Sequence, residues 1–169
     1  MIVRNVELDD AGALCAIYNH YIEHTIVTFE EQPLHPETFA RRIRETTARH
    51  PWLVLEDHGV PVGYAYASEW KSRSAFRHTV ESSIYLHPRT PRGRGYGKRL
   101  YGGLLSRLAR EGRHLVIAAI TQPNEASMAL HQSLGFVTAG CFHEAGYKFH
   151  RWIDVAYLTL HLETLAERV

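Results

Sequence analysis

The sequence predicts an α/β fold built on a mixed, mostly antiparallel central sheet that is flanked by helices. Three observations support this prediction. Strand-like and helix-like periodicities alternate along the chain, residues 115–121 form a fully apolar segment of the kind buried on both faces of a sheet, and glycines mark several segment boundaries. The 169 residues suit one domain, which we expect to cover residues 1–169.

The first part of the chain predicts one strand and two helices. Residues 2–8 alternate apolar and polar side chains, as a half-buried strand does. Asp9 and Asp10 then offer an N-cap for a helix whose apolar residues recur at helical spacing as far as Tyr21. Pro36 is suited to the first turn of a second helix that reaches about residue 48.

Three strands are predicted next, at residues 52–56, 62–70 and 79–87. His58 and Gly59 form a turn signal between the first two, which therefore make a hairpin.

A glycine-rich loop separates these strands from a helix predicted at residues 96–110, and the apolar strand 115–121 follows. Asn124 is a candidate cap for a helix that ends near Leu134, with Gly135 in the stop position. The last strands are predicted at residues 136–144 and 155–162. The predicted element order is β-α-α-β-β-β-α-β-α-β-β.

Composition and charge exclude several classes of protein. The net charge of +1 gives no reason to expect nucleic acid or an anionic membrane as a partner. No apolar run approaches the roughly 18 residues that a membrane span requires. The only two cysteines, Cys15 and Cys141, argue against a disulfide framework and fit a reducing cytosol, so we expect a cytoplasmic protein.

The segment at residues 91–98, Pro-Arg-Gly-Arg-Gly-Tyr-Gly-Lys, follows a predicted strand and opens a predicted helix. Its three glycines remove side chains where a ligand must approach the backbone. The first amides of a helix have no intrahelical partner, and the helix dipole adds positive potential, so this loop is a candidate phosphate site. Three basic residues add charge that suits a diphosphate: Arg92, Arg94 and Lys98.

Two better-known phosphate loops do not match this segment. A P-loop has four residues between its glycines and then Lys and Ser or Thr, whereas three residues separate Gly93 from Gly97 and Arg99 follows Lys98. The Rossmann fingerprint spaces its third glycine differently and follows the first strand of its fold. The remaining alternative is a flexible basic turn that binds no ligand.

Two motifs resemble those of the GNAT superfamily of N-acetyltransferases. Residues 92–97 are similar to the signature whose backbone amides hold the diphosphate of coenzyme A, and residues 124–136, from Asn124 to a Gly-Phe pair, are similar to the second signature. The predicted element order is also that of the GNAT fold. The resemblance implies that acetyl-CoA is the cosubstrate and that an acetyl group is transferred to an amine.

Further segments resemble the phosphinothricin and methionine sulfone N-acetyltransferase-like subfamily: residues 18–23, 70–73, 79–82 and 146–154. The resemblance implies a small acceptor of the phosphinothricin, methionine sulfoximine or methionine sulfone type. It also implies a homodimer, for which residues 147–152 and the last strand are the expected contact.

Two residues are candidates for catalysis. The resemblance places a catalytic Glu at Glu81, which we predict to be the general base, acting directly or through a water molecule; the alternative is a solvated strand glutamate. His131 occupies a position where the wider family often has a tyrosine thought to protonate the thiolate. The alternative for His131 is a histidine that only packs in its helix.

The other site predictions concern binding. We expect backbone amides near residues 85–87 to stabilise the oxyanion and to pair with the pantetheine arm. The predicted cofactor-binding residues are Leu86, His87, Arg92, Gly93, Arg94, Gly95, Tyr96, Gly97, Lys98, Asn124 and Ser127. The predicted substrate-binding residues are Phe29, Trp70, Lys71, Arg73, Phe76, Arg77, Tyr85 and Lys148.

Alternatives to this function remain at the level of sequence. The basic loop at residues 71–77 favours an anionic, amino-acid-like acceptor over a polyamine or a protein N-terminus. A coenzyme A-binding module without catalysis is a further alternative, although Glu81 and His131 favour an enzyme. His20, Glu23 and His24 match a zinc peptidase pattern, but twelve histidines make a chance match easy, and we predict no metal cofactor.

Overall fold

The computed structural model describes residues 1–162, so the last seven residues of the predicted domain lie outside the described part. Its strands are β1 (Ile2–Asn5), β2 (Trp52–Asp57), β3 (Val60–Glu69), β4 (Thr79–Leu86), β5 (Leu115–Thr121), β6 (Val137–Lys148) and β7 (Arg151–His161). Its α-helices are α1 (Ala11–His24), α2 (Pro36–Thr47), α3 (Tyr96–Arg110) and α4 (Glu125–Ser133), and short 3₁₀ turns lie at Leu8–Asp10 and Ser74–Phe76.

All seven strands form one sheet in the order β1-β2-β3-β4-β5-β7-β6. Every neighbouring pair is antiparallel except β4 and β5, which are parallel. A parallel pair needs a crossover connection, and α3 supplies it. The predicted element order and the mixed, mostly antiparallel sheet are confirmed.

The sheet carries an apolar core on each face. On one face α3 packs against the sheet through five buried side chains, and partly buried residues of α4 join the same cluster. On the other face α1 and α2 cover an aromatic cluster in which the Trp52 and Tyr66 rings stack with centroids 4.2 Å apart. Because both faces are covered, the polar groups that line any opening in the sheet must be satisfied locally or by a ligand.

The largest differences from the predicted boundaries lie in the first strand and in the last two strands. The first strand ends at Asn5, before the predicted end at residue 8. Asp10 is the N-cap residue of α1 as expected, but its side chain does not cap that helix; it pairs with Arg4 and accepts a hydrogen bond from the Glu7 amide. The last two strands form one long hairpin whose two-residue turn is Phe149 and His150, with φ of 50° and 58°. Such turns normally carry Gly or Asn, so Phe149 and His150 are not recognisable as a turn from the sequence.

Candidate active site

The glycine-rich loop enters α3 with its amides exposed. Gly93 and Gly95 have φ of 73° and 76°, in the left-handed region that glycine adopts without strain, and Gly95 is the N-cap residue of α3. The Arg99 amide donates to the Gly95 carbonyl at 2.9 Å and closes the first turn. The amides before Arg99 have no carbonyl one turn back, so they are available to an anion.

The basic side chains around this loop are also available to bind an anion. Arg92, Arg94 and Lys98 are exposed, and within residues 1–162 none of them has a carboxylate partner in an ion pair. The Tyr96 hydroxyl donates to Asp57 Oδ2 at 3.0 Å, so the side chain of this predicted cofactor residue is already engaged and its amide remains. The arrangement fits a diphosphate.

Strands β4 and β5 separate in the middle of the sheet. Their pairing covers Thr79–Glu81 and Leu115–Ile117 and ends there. The Ser82 hydroxyl donates to the Ile117 carbonyl at 3.3 Å and lies 2.7 Å from the Tyr101 hydroxyl, so a side chain takes the place of the next backbone bond. Beyond this point the facing strand edges are unpaired and can accept an extended ligand as an added strand.

The gap between the two strands is a narrow cleft of about 50 Å³. It brings together four of the predicted residues: Tyr85, Asn124, Ser127 and His131. Thr121 also lines it, and its buried hydroxyl has no hydrogen-bond partner in the structure. An unpaired buried hydroxyl beside unpaired strand edges fits the amide-bearing pantetheine arm of coenzyme A.

Asn124 can serve both as the predicted helix cap and as the predicted cofactor-binding residue. Its Oδ1 accepts the Ser127 amide at 3.2 Å and caps α4, which leaves the side-chain NH₂ for a ligand. Helix α4 packs closely against the first turn of α3, as the short distance of 3.1 Å between a Cβ built on Gly97 and Leu130 Cδ2 shows. The two signature segments therefore form the two sides of one site.

The hydrogen bonds at the end of β4 exclude one candidate for the backbone amide that stabilises the oxyanion. The His87 amide donates to the Val62 carbonyl at 2.8 Å, so this predicted cofactor residue has no free N–H. The Leu86 carbonyl accepts a hydrogen bond from the Tyr21 hydroxyl at 2.7 Å. The Leu86 side chain packs against Gly63 and Gly97. The predicted amide donor must therefore lie before His87 on β4.

Glu81 lies where the two strands separate. It pairs with Ile117 of β5 and Ser68 of β3, and burial raises the pKa of its carboxyl above the ordinary value. Tyr157 lies close enough for Glu81 to contribute to the raised pKa of its hydroxyl. Within the described chain no salt bridge neutralises Glu81, so its environment suits a base rather than a structural ion pair.

His131 is buried, with 3% of its surface exposed, and its ring packs edge-on against Tyr101 and Phe136. Nδ1 lies 2.8 Å from the Ser127 carbonyl and must carry a proton to bond it, which leaves Nε2 unprotonated in the neutral ring. Burial lowers the pKa of His131, so the neutral form dominates at neutral pH. This geometry supports the packing alternative over proton donation to the thiolate.

Aromatic rings line the sheet surface next to Glu81. The predicted substrate residue Trp70 contacts Tyr157 at a centroid distance of 6.0 Å, and Phe142 contacts Tyr157 at 5.3 Å. Tyr157 and Phe142 were missed at the level of sequence because they look like ordinary strand residues. Only the antiparallel register, which pairs Tyr157 with both Ala119 and Gly140, brings Tyr157 near Glu81 and Phe142 against Tyr157.

The basic residues of the loop between β3 and β4 separate into two groups. Lys71 and Arg73 are exposed beside Trp70, with Lys71 Nζ 5.6 Å from the ring centroid. Arg77 donates to the Ser74 carbonyl at 3.2 Å, and its own carbonyl accepts Arg113. Arg77 and the neighbouring Phe76 therefore lie at the paired end of β4, and the structure does not bring them to the cleft.

The connection between α1 and α2 is fastened to β6 by two contacts. Lys148, predicted to bind substrate, is 2% exposed and donates to the Thr28 carbonyl at 2.8 Å, so we assign it to holding this connection instead. The Phe29 ring packs so closely on Gly146 that a Cβ at this position would overlap the ring carbons. Phe29 is 40% exposed, and we group its ring with those of Trp70, Tyr157 and Phe142 as the acceptor wall.

Gly146→Ala is expected to displace Phe29, because the new methyl group would overlap the ring. The amine KM should rise about 10-fold, from the loss of one apolar contact worth about 1–3 kcal/mol, while acetyl-CoA affinity stays unchanged. Steady-state kinetics with each substrate varied in turn measure the two effects. Gly140→Ala on the same strand is the control, since no atom lies within 4 Å of its added Cβ; equal effects of the two variants would contradict the contact.

A larger cleft of about 550 Å³ lies elsewhere, where the ends of α2 and α3 meet the start of β2. None of the predicted site residues lines it, Glu81 included. The narrow cleft between β4 and β5 is therefore the candidate active site. No helix within residues 1–162 combines the length and hydropathy needed to cross a bilayer.

Comparison with known proteins identifies the family of this chain. Residues 3–157 match the family model of the acetyltransferase (GNAT) domain. The chain therefore belongs to the GNAT acetyltransferase family, and it is an acetyl-CoA-dependent N-acetyltransferase.

Individual relatives are similar over almost the whole chain. The L-amino acid N-acyltransferase MnaT of Escherichia coli K12 is 38% identical over 99% of this chain and 97% of its own. The L-methionine sulfoximine/L-methionine sulfone acetyltransferase of Salmonella typhimurium is 36% identical over 96% of this chain and 95% of its own. The phosphinothricin acetyltransferase of Sinorhizobium meliloti, solved with acetyl-CoA, has a TM-score of 0.90 at 35% identity, covering 95% of this chain and 87% of that one.

Proposed function

We propose that the enzyme acetylates the α-amine of a small amino-acid analogue of the phosphinothricin, methionine sulfoximine or methionine sulfone type. One observation carries this proposal: Glu81, a carboxyl of raised pKa that has no ion-pair partner among residues 1–162, lies between the strand opening and an aromatic wall with a basic rim. The names of the relatives, which act on amino acids or their analogues, support the same acceptor class.

In this proposal the chain holds acetyl-CoA along one continuous surface. The amides of residues 93–98 bind the diphosphate, with Arg92, Arg94 and Lys98 around it. The unpaired edges of β4 and β5 bind the pantetheine arm, with the Asn124 NH₂ and the Thr121 hydroxyl as further partners. The thioester then lies where the strands separate, beside Glu81.

The reaction needs no covalent enzyme intermediate. Glu81, directly or through a water molecule, takes the proton that the ammonium group must lose before its nitrogen can attack. A β4 amide before His87 stabilises the oxyanion. The C–N bond forms and the C–S bond breaks. The nitrogen loses a second proton as the amide forms, which balances the one that the coenzyme A thiolate gains, and the first proton passes from Glu81 to solvent. His131 stays neutral and keeps α4 packed against the cleft.

The aromatic rings of the acceptor wall form the proposed binding site for the acceptor. Trp70, Tyr157, Phe142 and Phe29 surround the side chain of the acceptor, and Tyr85 closes the cleft side. Lys71 and Arg73 meet its carboxylate or its second acidic group, because both are exposed beside Trp70.

We also propose that the enzyme is a cytoplasmic homodimer. The outer edge of the sheet ends in an exposed apolar patch, formed by Tyr147, Phe149 and Trp152, whose exposed fractions are 52%, 50% and 60%. A second copy of the chain is the partner we assign to this patch, since patches of this kind mark interaction surfaces. Light scattering at two protein concentrations measures the oligomeric state, and a homodimer is the expected result.

A thiol-release assay over a panel of amines tests the acceptor class. We expect turnover with methionine sulfone, methionine sulfoximine and phosphinothricin, and turnover at least about 100-fold lower with spermidine or a peptide N-terminus, which lack a matched carboxylate. Omitting the amine gives the background of simple hydrolysis. Preferential turnover of spermidine would overturn the assignment.

A further inference from the structure

Three side chains with different metal-ligand chemistry meet on the outer part of the sheet, away from the acetyl-transfer site. Cys141 and His143 come from β6, and Asp154 comes from β7. One ligand atom from each lies within 4.8 Å of the other two. None of these residues has a role in the proposed acetyl transfer.

The backbone here is shaped in a way that gathers the three groups. A bulge between Phe142 and Gly146 interrupts the β6–β7 register, and Glu144 within it has a φ of 53°. Asp154 holds the bulge in place, because its Oδ1 accepts the Glu144 amide at 2.8 Å. Its Oδ2 lies 2.7 Å from His143 Nδ1, so one carboxylate oxygen is anchored and the other faces the imidazole.

The cluster lies apart from the acceptor wall. Phe142, between the two β6 ligands, packs on Tyr157 of that wall. Side chains alternate along a strand, so Cys141 and His143 on either side of Phe142 project to the other face. A ligand at the cluster therefore does not enter the acetyl-transfer cleft.

We propose that Cys141, His143 and Asp154 form a binding site for a borderline-soft divalent cation of the Zn²⁺ class. A thiolate, an imidazole and a carboxylate are all ligands that Zn²⁺ accepts, and three protein ligands leave a fourth position for water. Tetrahedral bonds of about 2.0–2.3 Å place ligand atoms roughly 3.3–3.8 Å apart. The exposed side chains reach this spacing by small rotations, and the Glu144 amide keeps Asp154 oriented.

Binding in this site releases protons. The Cys141 thiol loses its proton to form the Zn–S bond, and the cation replaces the proton shared between His143 Nδ1 and Asp154 Oδ2. Affinity should therefore increase with pH.

Titration of the full chain with Co²⁺, under a phosphine reductant, tests the site. Co²⁺ replaces Zn²⁺ and gives a thiolate-to-metal charge-transfer band only when a cysteine is a ligand. The expected result is a band that saturates at one Co²⁺ per chain and is removed by Zn²⁺. Cys141→Ser should abolish it, and His143→Ala and Asp154→Asn should each weaken Co²⁺ binding at least about tenfold.

Two controls make the result specific. Cys15, the other cysteine, is buried on α1, so Cys15→Ala should keep the band. His20 and His24 on α1, with ring centroids 4.9 Å apart, are the competing pair. Absence of the band in the wild-type chain, or Co²⁺ binding that survives Cys141→Ser and is lost in His20→Ala, would overturn the proposal, whereas acetyl transfer would be unaffected by either outcome.

Discussion

Glu81→Gln is expected to lower kcat by about 10²–10⁴-fold, the usual contribution of a positioned general base. The affinity for acetyl-CoA should stay nearly unchanged, because the diphosphate loop and the cleft between β4 and β5 do not depend on this carboxyl. Steady-state kinetics and equilibrium binding of the cosubstrate measure the two quantities. Full turnover in the variant would disprove the base assignment.

The pH profile separates a catalytic from a structural role of Glu81. A base must be deprotonated, and burial raises the pKa of Glu81, so kcat/KM in the wild type should fall as the pH decreases through that raised pKa. The Gln variant should lack this acid limb. It should also be no less stable at neutral pH, because a raised folded-state pKa means that the ionised carboxyl destabilises the fold there.

A matched control for this substitution lies at the end of β3. Glu69 is an exposed strand glutamate opposite Val80, one residue before Glu81 on the neighbouring strand. Glu69→Gln removes the same charge from the same sheet, so it should leave kcat within about twofold of the wild type, because exposed charges interact weakly through solvent. An equal loss in both variants would indicate a long-range charge effect.

Gly95→Val is expected to weaken acetyl-CoA binding before any effect on chemistry is seen. Gly95 has a φ of 76°, and a β-branched residue cannot hold this conformation without about 1–3 kcal/mol of strain. The free loop would relax, and binding would have to restore the left-handed turn, which predicts a roughly 5- to 100-fold higher Kd. Calorimetric titration with acetyl-CoA measures it.

Two further variants distinguish strain from bulk at this position. No atom lies within 4 Å of a Cβ on Gly95, so sterics alone do not forbid a side chain. Gly95→Asn should therefore bind acetyl-CoA more tightly than Gly95→Val, because Asn tolerates left-handed dihedrals. Gly102→Ala, inside α3 and equally unobstructed, should match the wild type. The same Kd in the Asn and Val variants would argue against a conformational cause.

The fold could be predicted, and the diphosphate loop could be proposed, because their signals are local. Periodicity and glycine positions are properties of short segments, and helix α3 and strand β5 were placed with the bounds that the structure shows, residues 96–110 and 115–121. The diphosphate loop is likewise contained in one continuous segment at residues 91–98.

The acceptor side could be predicted only in part, because it depends on long-range register and burial. Tyr157 and Phe142 join the wall through strand pairings that no local pattern specifies. Lys148 looked like a substrate cation, but its position at the end of a hairpin buries it against Thr28. His131 looked like an acid, and only its bond to the Ser127 carbonyl shows which nitrogen carries the proton.

The contact of Ser82 with Ile117 and Tyr101 has a kinetic consequence. Where the β4–β5 ladder ends in mid-sheet, a cleft remains that both Asn124 and Tyr85 line. In the proposed mechanism the acetyl donor lies in this cleft, and the acceptor lies against the separate aromatic wall near Glu81. Neither must depart to make room for its counterpart, so a ternary complex is sterically open in either order of arrival.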